Sequence, residues 1–188
     1  MKKKFLFVLN FALFFSIGFG TLTYAEYFGG KWHQRVVYYG VSYNVSSTYT
    51  TPIDNGLKAW NGLSNYISYK NFKDIGISQP VDVWVRSYTN ELGLTAAEWA
   101  ARGFYGFGVP SPDDTTGPYD WGNIYLIRAN TDPLSSTNKK RVIMHEAGHV
   151  LGLAHTTKAF TSSVMDEGDI WGLDSPTTYD KNNIIGLY

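Results

Sequence analysis

His145-Glu146-Ala147-Gly148-His149-Val150-Leu151-Gly152-Leu153-Ala154-His155 is the stretch whose reading decides both fold and chemistry. Leading into it and through it, Val142, Ile143, Ala147, Val150 and Leu151 recur at helical spacing, and Ser135, Ser136 or Thr137 can cap the run. Gly152 can end that helix in a left-handed conformation. On such a helix His145 and His149 stand one above the other, with Cβ atoms about 5–6 Å apart, so their imidazoles can converge on one ion. The turn at Gly152 lets the chain double back and bring His155 to the same ion. Zinc prefers four ligands, and three histidines leave one position for water. Glu146 lies where its carboxylate can reach that position without binding the metal. It can take a proton as water, acidified by the ion, attacks a carbonyl. A bare His-Glu-x-x-His arises by chance on amphipathic helices; the added Gly152 and His155 make the full pattern far rarer.

With Ser163-Val164-Met165 ending ten residues after His155, the pattern resembles the metzincin metalloproteases, with their long zinc motif and Met-turn. The resemblance makes Met165 the Met-turn residue beneath the zinc; read by itself, it fits an ordinary buried methionine equally. Thr156 after the third histidine is closest to the serine of matrixins. Glu167 stands where astacin-like and serralysin-like members carry a tyrosine ligand, so no such ligand is expected.

Residues 1–25 read as an export signal. Lys2, Lys3 and Lys4 precede an apolar stretch from Phe5 to Phe19, and Thr23-Tyr24-Ala25 places a small residue at the expected cleavage point. The alternative, an uncleaved anchor, is disfavoured because the stretch falls short of the roughly 20 residues a spanning helix needs and contains Asn10, Ser16 and Gly18. Residues 26–188 are then one catalytic domain, secreted and acting as a monomer. They carry 13 basic against 16 acidic residues, which leaves no nucleic-acid footprint. The chain has no cysteine, so disulfides do not stabilise it and cysteine-based latency is excluded. A lysine-rich signal on a cysteine-free product suggests a Gram-positive bacterium.

From Lys31 to Tyr43 the β-rich run reads as the first strand. His33, the only histidine outside the motif, reads as a surface residue. Thr51-Pro52-Ile53-Asp54 reads as the cap and first turn of a helix running to about Ser64, with Ile53, Leu57, Trp60 and Leu63 at core spacing. Tyr66–Tyr69 and Val81–Tyr88 read as strands, and Thr95 to Arg102 as a short helix with a Thr95/Glu98 capping box. Strand, helix, strand, strand is the order the resemblance implies for a matrixin-like upper half.

Gly103 to Gly117 is rich in Gly and Pro and reads as loop. Only four histidines exist in the chain, so the second, structural zinc of animal matrixins cannot be built in the same way. Ca2+ is the other cofactor open to the chain, through Asp113, Asp114 and Asp120. They lack a recognisable loop register, and solvated loop acids are the simpler reading. Asn123 to Asn130 reads as a strand; the resemblance makes it the antiparallel edge along which an extended peptide substrate lies.

After Met165, the resemblance places Asp166 to Ser175 in the wall of the substrate pocket, with Trp171 as the candidate pocket residue; plain packing is the alternative. Ser175-Pro176-Thr177 starts a last helix, with Tyr179, Ile184, Ile185 and Leu187 available to pack beneath the site.

The expected fold is α+β, a metzincin-like zincin domain with a mixed twisted sheet, a long active-site helix and a smaller C-terminal part ending in a helix. The expected function is that of a secreted zinc endopeptidase acting on peptides or proteins, without stable membrane insertion. His145, His149 and His155 would be the ligands and Glu146 the general base and acid. Two other classes stay open: a catalytically silent, zinc-stabilised binding protein, and a toxin or adhesin using aromatic surface, since 16% of residues are aromatic.

Overall fold

A computed structural model describes residues 27–74, 80–91, 93–110, 118–156, 162–168 and 170–188. The expected export signal and Asp113 and Asp114 lie outside the described residues. Among the described residues no helix is long and apolar enough to cross a membrane.

The architecture is α+β. Strands β1 (Lys31–Trp32), β2 (Val36–Val41), β3 (Ser68–Asn71), β4 (Val83–Ser87), β5 (Gly106–Pro110), β6 (Pro118–Tyr119) and β7 (Gly122–Leu126) alternate with helices α1 (Thr50–Lys58), α2 (Ala96–Ala101), α3 (Arg128–Thr131), α4 (Ser136–Val150) and α5 (Thr178–Leu187). A five-stranded mixed sheet runs in the order β3-β2-β4-β7-β5, and β1 and β6 form a separate parallel pair. Strands β3, β2, β4 and β7 are parallel neighbours, while β5 pairs antiparallel with β7, Gly108 opposite Ile124.

The sheet's inner face and the helices share one core. Val37, Tyr39, Val83, Val85, Ile124 and Leu126 pack with Ile53 and Leu57 of α1 and Ile143, Met144 and Ala147 of α4. Helices α1 and α4 approach so closely that a Cβ at Gly56 would lie 2.8 Å from Ile143 Cγ2. Every residue of β7 is buried. Its other face is covered by a second cluster in which Tyr88, Tyr125 and Ile127 meet Trp99 of α2 and Phe107. This two-sided burial gives the continuous apolar run expected of an inner parallel strand.

Several sequence expectations move. The first strand is two: residues 33–35 break it, Lys31–Trp32 pair with Pro118–Tyr119, and β2 starts at Val36. Helix α1 begins one residue before Thr51, follows a short 3-10 turn (Ser47–Tyr49) capped by Ser46, and ends at Lys58 rather than near Ser64. Trp60 is still fully buried, its indole N–H satisfied by Met144 O at 2.9 Å. The third strand lies at Ser68–Asn71, two residues later than expected, and the fourth is shorter than Val81–Tyr88. The Thr95/Glu98 capping box is present.

The largest correction concerns the sheet's edge. The Gly-rich stretch read as loop contains β5, the antiparallel edge strand, whereas the strand expected at the edge is the buried β7. That strand also stops at Leu126, since Arg128–Thr131 forms a helical turn. Glycines at 106 and 108 and a proline at 110 made the segment look like loop. They are tolerated because an edge strand is paired on one side only and because α4 presses close against this one.

Between α4 and α5 the described residues hold little regular structure. That helix begins at Thr178 with Thr177 as its cap, rather than at Ser175. Ile184 is fully buried beneath the site, but Ile185 points outward and is half exposed.

Candidate metal centre

Helix α4 starts where Ser135 accepts the N–H of Asn138 at 3.2 Å and stops at a turn in which Gly152 has φ +101°. His145, Glu146 and His149 all lie on its buried part. Behind it, two core donors grip the helix backbone: the Trp60 indole on Met144 O, and the Tyr69 hydroxyl on Ala147 O at 2.9 Å. Gly148 permits a further close approach, because a Cβ there would lie 2.3 Å from Met165 Sδ.

The three motif histidines converge. His145 Nε2 lies 3.2 Å from His149 Nε2 and 3.1 Å from His155 Nε2, and His149 and His155 close the triangle at 3.1 Å. Among the described residues this is the group that could hold a metal ion. Two nitrogens bound tetrahedrally at about 2.0–2.1 Å stand about 3.3 Å apart, close to all three separations. The tautomers agree with the spacing. His145 Nδ1 donates to Val164 O at 2.7 Å and His149 Nδ1 to Leu153 O at 2.8 Å. A carbonyl can only accept, so both Nε2 atoms present lone pairs. Lone pairs facing each other at this distance repel unless a cation lies among them. Three imidazole donors suit zinc, and carbonyl partners on the far nitrogen are the usual orienting contacts of such ligands.

Electrostatics disfavour protonation of His145 and His149. Burial, followed by the charge of His155, pushes His145 down to about 4, against a raising hydrogen bond to Val164. His149 is held well below the ordinary histidine value by burial, then by His145 and His155.

Glu146 is buried and faces strand β5. Its Oε2 accepts the N–H of Gly108 at 2.7 Å. Burial pushes its carboxyl up to about 8, against the lowering effect of that N–H. The approach needs glycine: a Cβ at Gly108 would fall 2.0 Å from the Glu146 carbonyl oxygen, and one at Gly106 3.2 Å from Glu146 Cγ. The signal for these two residues was the alternation Gly106-Phe107-Gly108-Val109, period two but glycine-rich.

The loop Ser163–Asp166 supports the ligands from the other side. Val164 O orients His145, and Met165 O accepts the N–H of Thr156, fixing the residue after His155 at 2.9 Å. The loop is in turn held by Asp180, which is fully buried in the first turn of α5. Its carboxylate accepts from Ser163 Oγ at 2.5 Å, Val164 N at 3.1 Å, Thr177 N at 2.7 Å and Thr177 Oγ1 at 2.9 Å. A single residue, Val164, therefore connects Asp180 to His145 through its N–H and its carbonyl. The sequence reading missed Asp180, although Thr177-x-x-Asp180 is a helix-start pattern that would have pointed to it.

Met165 is buried in the core against Gly148. Trp171 is part-buried and meets Tyr105 edge-on, ring centroids 5.0 Å apart, so it touches the residue just before β5. His33 is exposed, as expected, and so is Asp120, which joins no metal-holding group among the described residues.

No protein-family model matches the chain, and no curated protein matches it in sequence. In structure it is similar to high choriolytic enzyme 1, a hatching enzyme zinc-protease from Oryzias latipes (medaka fish). The likeness has 14% sequence identity and a TM-score of 0.49, over 82% of this chain and 92% of that one.

Proposed function

We propose that the chain is a secreted zinc-dependent endopeptidase of matrixin-like metzincin type. The observation that carries the reading is the triangle of histidine Nε2 atoms with a buried glutamate between two of its members in sequence. Bound by His145, His149 and His155, a zinc ion would polarise a carbonyl and lower the pKa of water towards about 7. The charge of the bound ion would also favour the ionised form of Glu146, against the burial that raises its pKa.

Glu146 then acts as general base. Its Oε2 is engaged by the Gly108 N–H, and Oε1 takes the proton as water adds to the peptide carbonyl carbon. The C–N bond breaks, and the same proton passes to the leaving amine nitrogen. An extended peptide would lie along β5, where backbone hydrogen bonds accept many sequences and side-chain pockets select among them. Trp171, set against Tyr105 at the start of that edge, is the candidate for such a pocket.

The test uses the chain from Glu26, loaded with Zn2+ and incubated with a mixed protein substrate, the cuts being located by mass spectrometry. Glu146→Ala, checked to retain zinc, is run beside it. Cuts by the unmutated chain are expected, with the variant slower by about 100-fold or more. If neither protein cuts while both hold zinc, the peptidase reading fails in favour of a zinc-stabilised binding protein.

A further inference from the structure

Helix C-termini leave backbone carbonyls without intrahelical partners. From Val150, the last residue of α4, through the turn that follows, four successive carbonyls are all occupied. Val150 O accepts the Trp32 indole N–H at 2.8 Å, Leu151 O the Tyr188 hydroxyl at 2.9 Å, Gly152 O the Phe28 N–H at 2.9 Å, and Leu153 O the His149 Nδ1–H at 2.8 Å. Two of these donors, Phe28 and Trp32, belong to the segment Tyr27–Trp32. Tyr27 also forms an antiparallel bridge with Leu153, and its hydroxyl donates to Asn183 O of α5 at 2.9 Å. The turn that aims His149 and delivers His155 is thus clamped by residues far from it in sequence.

Phe28 does more than clamp. Its ring lies against the imidazole of His149, centroids 5.4 Å apart and planes 32° from parallel. His145 and His155 meet the same imidazole at steep angles, 88° and 68°. The hydrogen bond to Leu153 O fixes the His149 tautomer, but one such bond leaves the ring free to rock about its axis. An aromatic surface against the imidazole opposes that rocking and keeps water from that side.

We infer that Phe28 is a positioning residue for His149, and that Tyr27–Trp32 is a working part of the metal centre. The inference rests on the zinc reading above. It gives the expected processing point a consequence: cleavage after Ala25 spares the segment, whereas trimming three residues further removes both the N–H on Gly152 O and the ring on His149.

The test uses the exported chain and its Phe28→Ala, Phe28→Leu and Phe28→Tyr variants. Three quantities are read: the Zn2+ dissociation constant by competition with a chromogenic chelator, the visible absorption of the Co2+-substituted protein, and the unfolding temperature of the metal-free protein. Loss of an outer contact of this kind costs on the order of 10-fold in metal affinity. Phe28→Ala should show that loss with altered cobalt bands, and Phe28→Tyr should restore both. Phe28→Leu is decisive should the alanine variant fold poorly: it refills the apolar volume, so metal-free stability should return while zinc affinity and the cobalt spectrum do not. Phe28→Leu with the parent's zinc affinity and cobalt spectrum would overturn the role of Phe28 and leave the zinc reading standing. A parent chain that takes up no Zn2+ would overturn both.

Discussion

Two regions flank α4 at the histidines, strand β5 on one side and the loop Ser163–Asp166 on the other, and they hold the site in different ways. Strand β5 contributes a backbone N–H to Glu146 and, through Gly106 and Gly108, the absence of side chains. Any residue has an N–H, but only glycine allows the strand so near the helix. The loop instead works through specific polar groups: the Val164 and Met165 carbonyls reach the histidines or their neighbours, and the buried Asp180 carboxylate holds the loop. The sheet side is therefore sensitive to bulk, and the loop side to the loss of one charge. The first supports the proposed base and the second the ligands, so their failures should be separable.

The largest effect is expected from Asp180→Ala. It strips the partner from Ser163 Oγ, Val164 N and Thr177 N in a fully buried place, and orphaned buried donors each cost about 1–3 kcal/mol. A loss of about 3 kcal/mol or more in urea unfolding should accompany a roughly 10- to 100-fold weaker hold on Zn2+ in chelator competition. If zinc affinity is untouched, the path through Val164 to His145 does not orient the ligand, and the contrast between the two sides collapses.

Gly108→Ala comes next. The new Cβ must displace strand or helix backbone, and overpacking of this kind costs about 1–3 kcal/mol. Turnover should fall several-fold with zinc affinity nearly unchanged, measured by peptide cleavage and metal titration on the same sample. Equal losses of metal and turnover would mean that the strand supports the whole site rather than Glu146.

Tyr69→Phe is the smallest. It removes one hydroxyl from Ala147 O behind the helix and should cost about 1 kcal/mol of stability in thermal or urea unfolding. Neither zinc affinity nor turnover should change, because this contact lies on neither flank. A change in either would show that the back of α4 also sets the ligands.

Local signals were legible wherever the physics was local. The cap at Ser135, the apolar recurrence through Val142 and Val150 and the turn at Gly152 all concern neighbours within a helical turn or two, and they located α4 and brought its histidines to one side. The Thr95/Glu98 capping box was readable for the same reason. The edge strand was not, because Gly106-Phe107-Gly108-Val109-Pro110 has the composition of a loop. What makes it a strand is pairing with β7 and the pressure of α4, both remote in sequence. Asp180 has the sequence look of an ordinary cap, and nothing in its neighbourhood tells that Ser163 and Val164 will fold onto it.

The sequence by itself determined the three histidines that could hold a metal ion, the helix that carries two of them, the turn that returns the third, and an α+β order of elements. These rest on spacings of three to ten residues, within which backbone geometry leaves few choices. Only the tertiary structure decided which strand forms the edge, which glycines admit the helix to it, that a carboxylate in the last helix braces the loop under His145, and that Phe28 lies on His149. Each of those is a contact between segments well separated in sequence, chosen by the packing of the whole core rather than by any local preference.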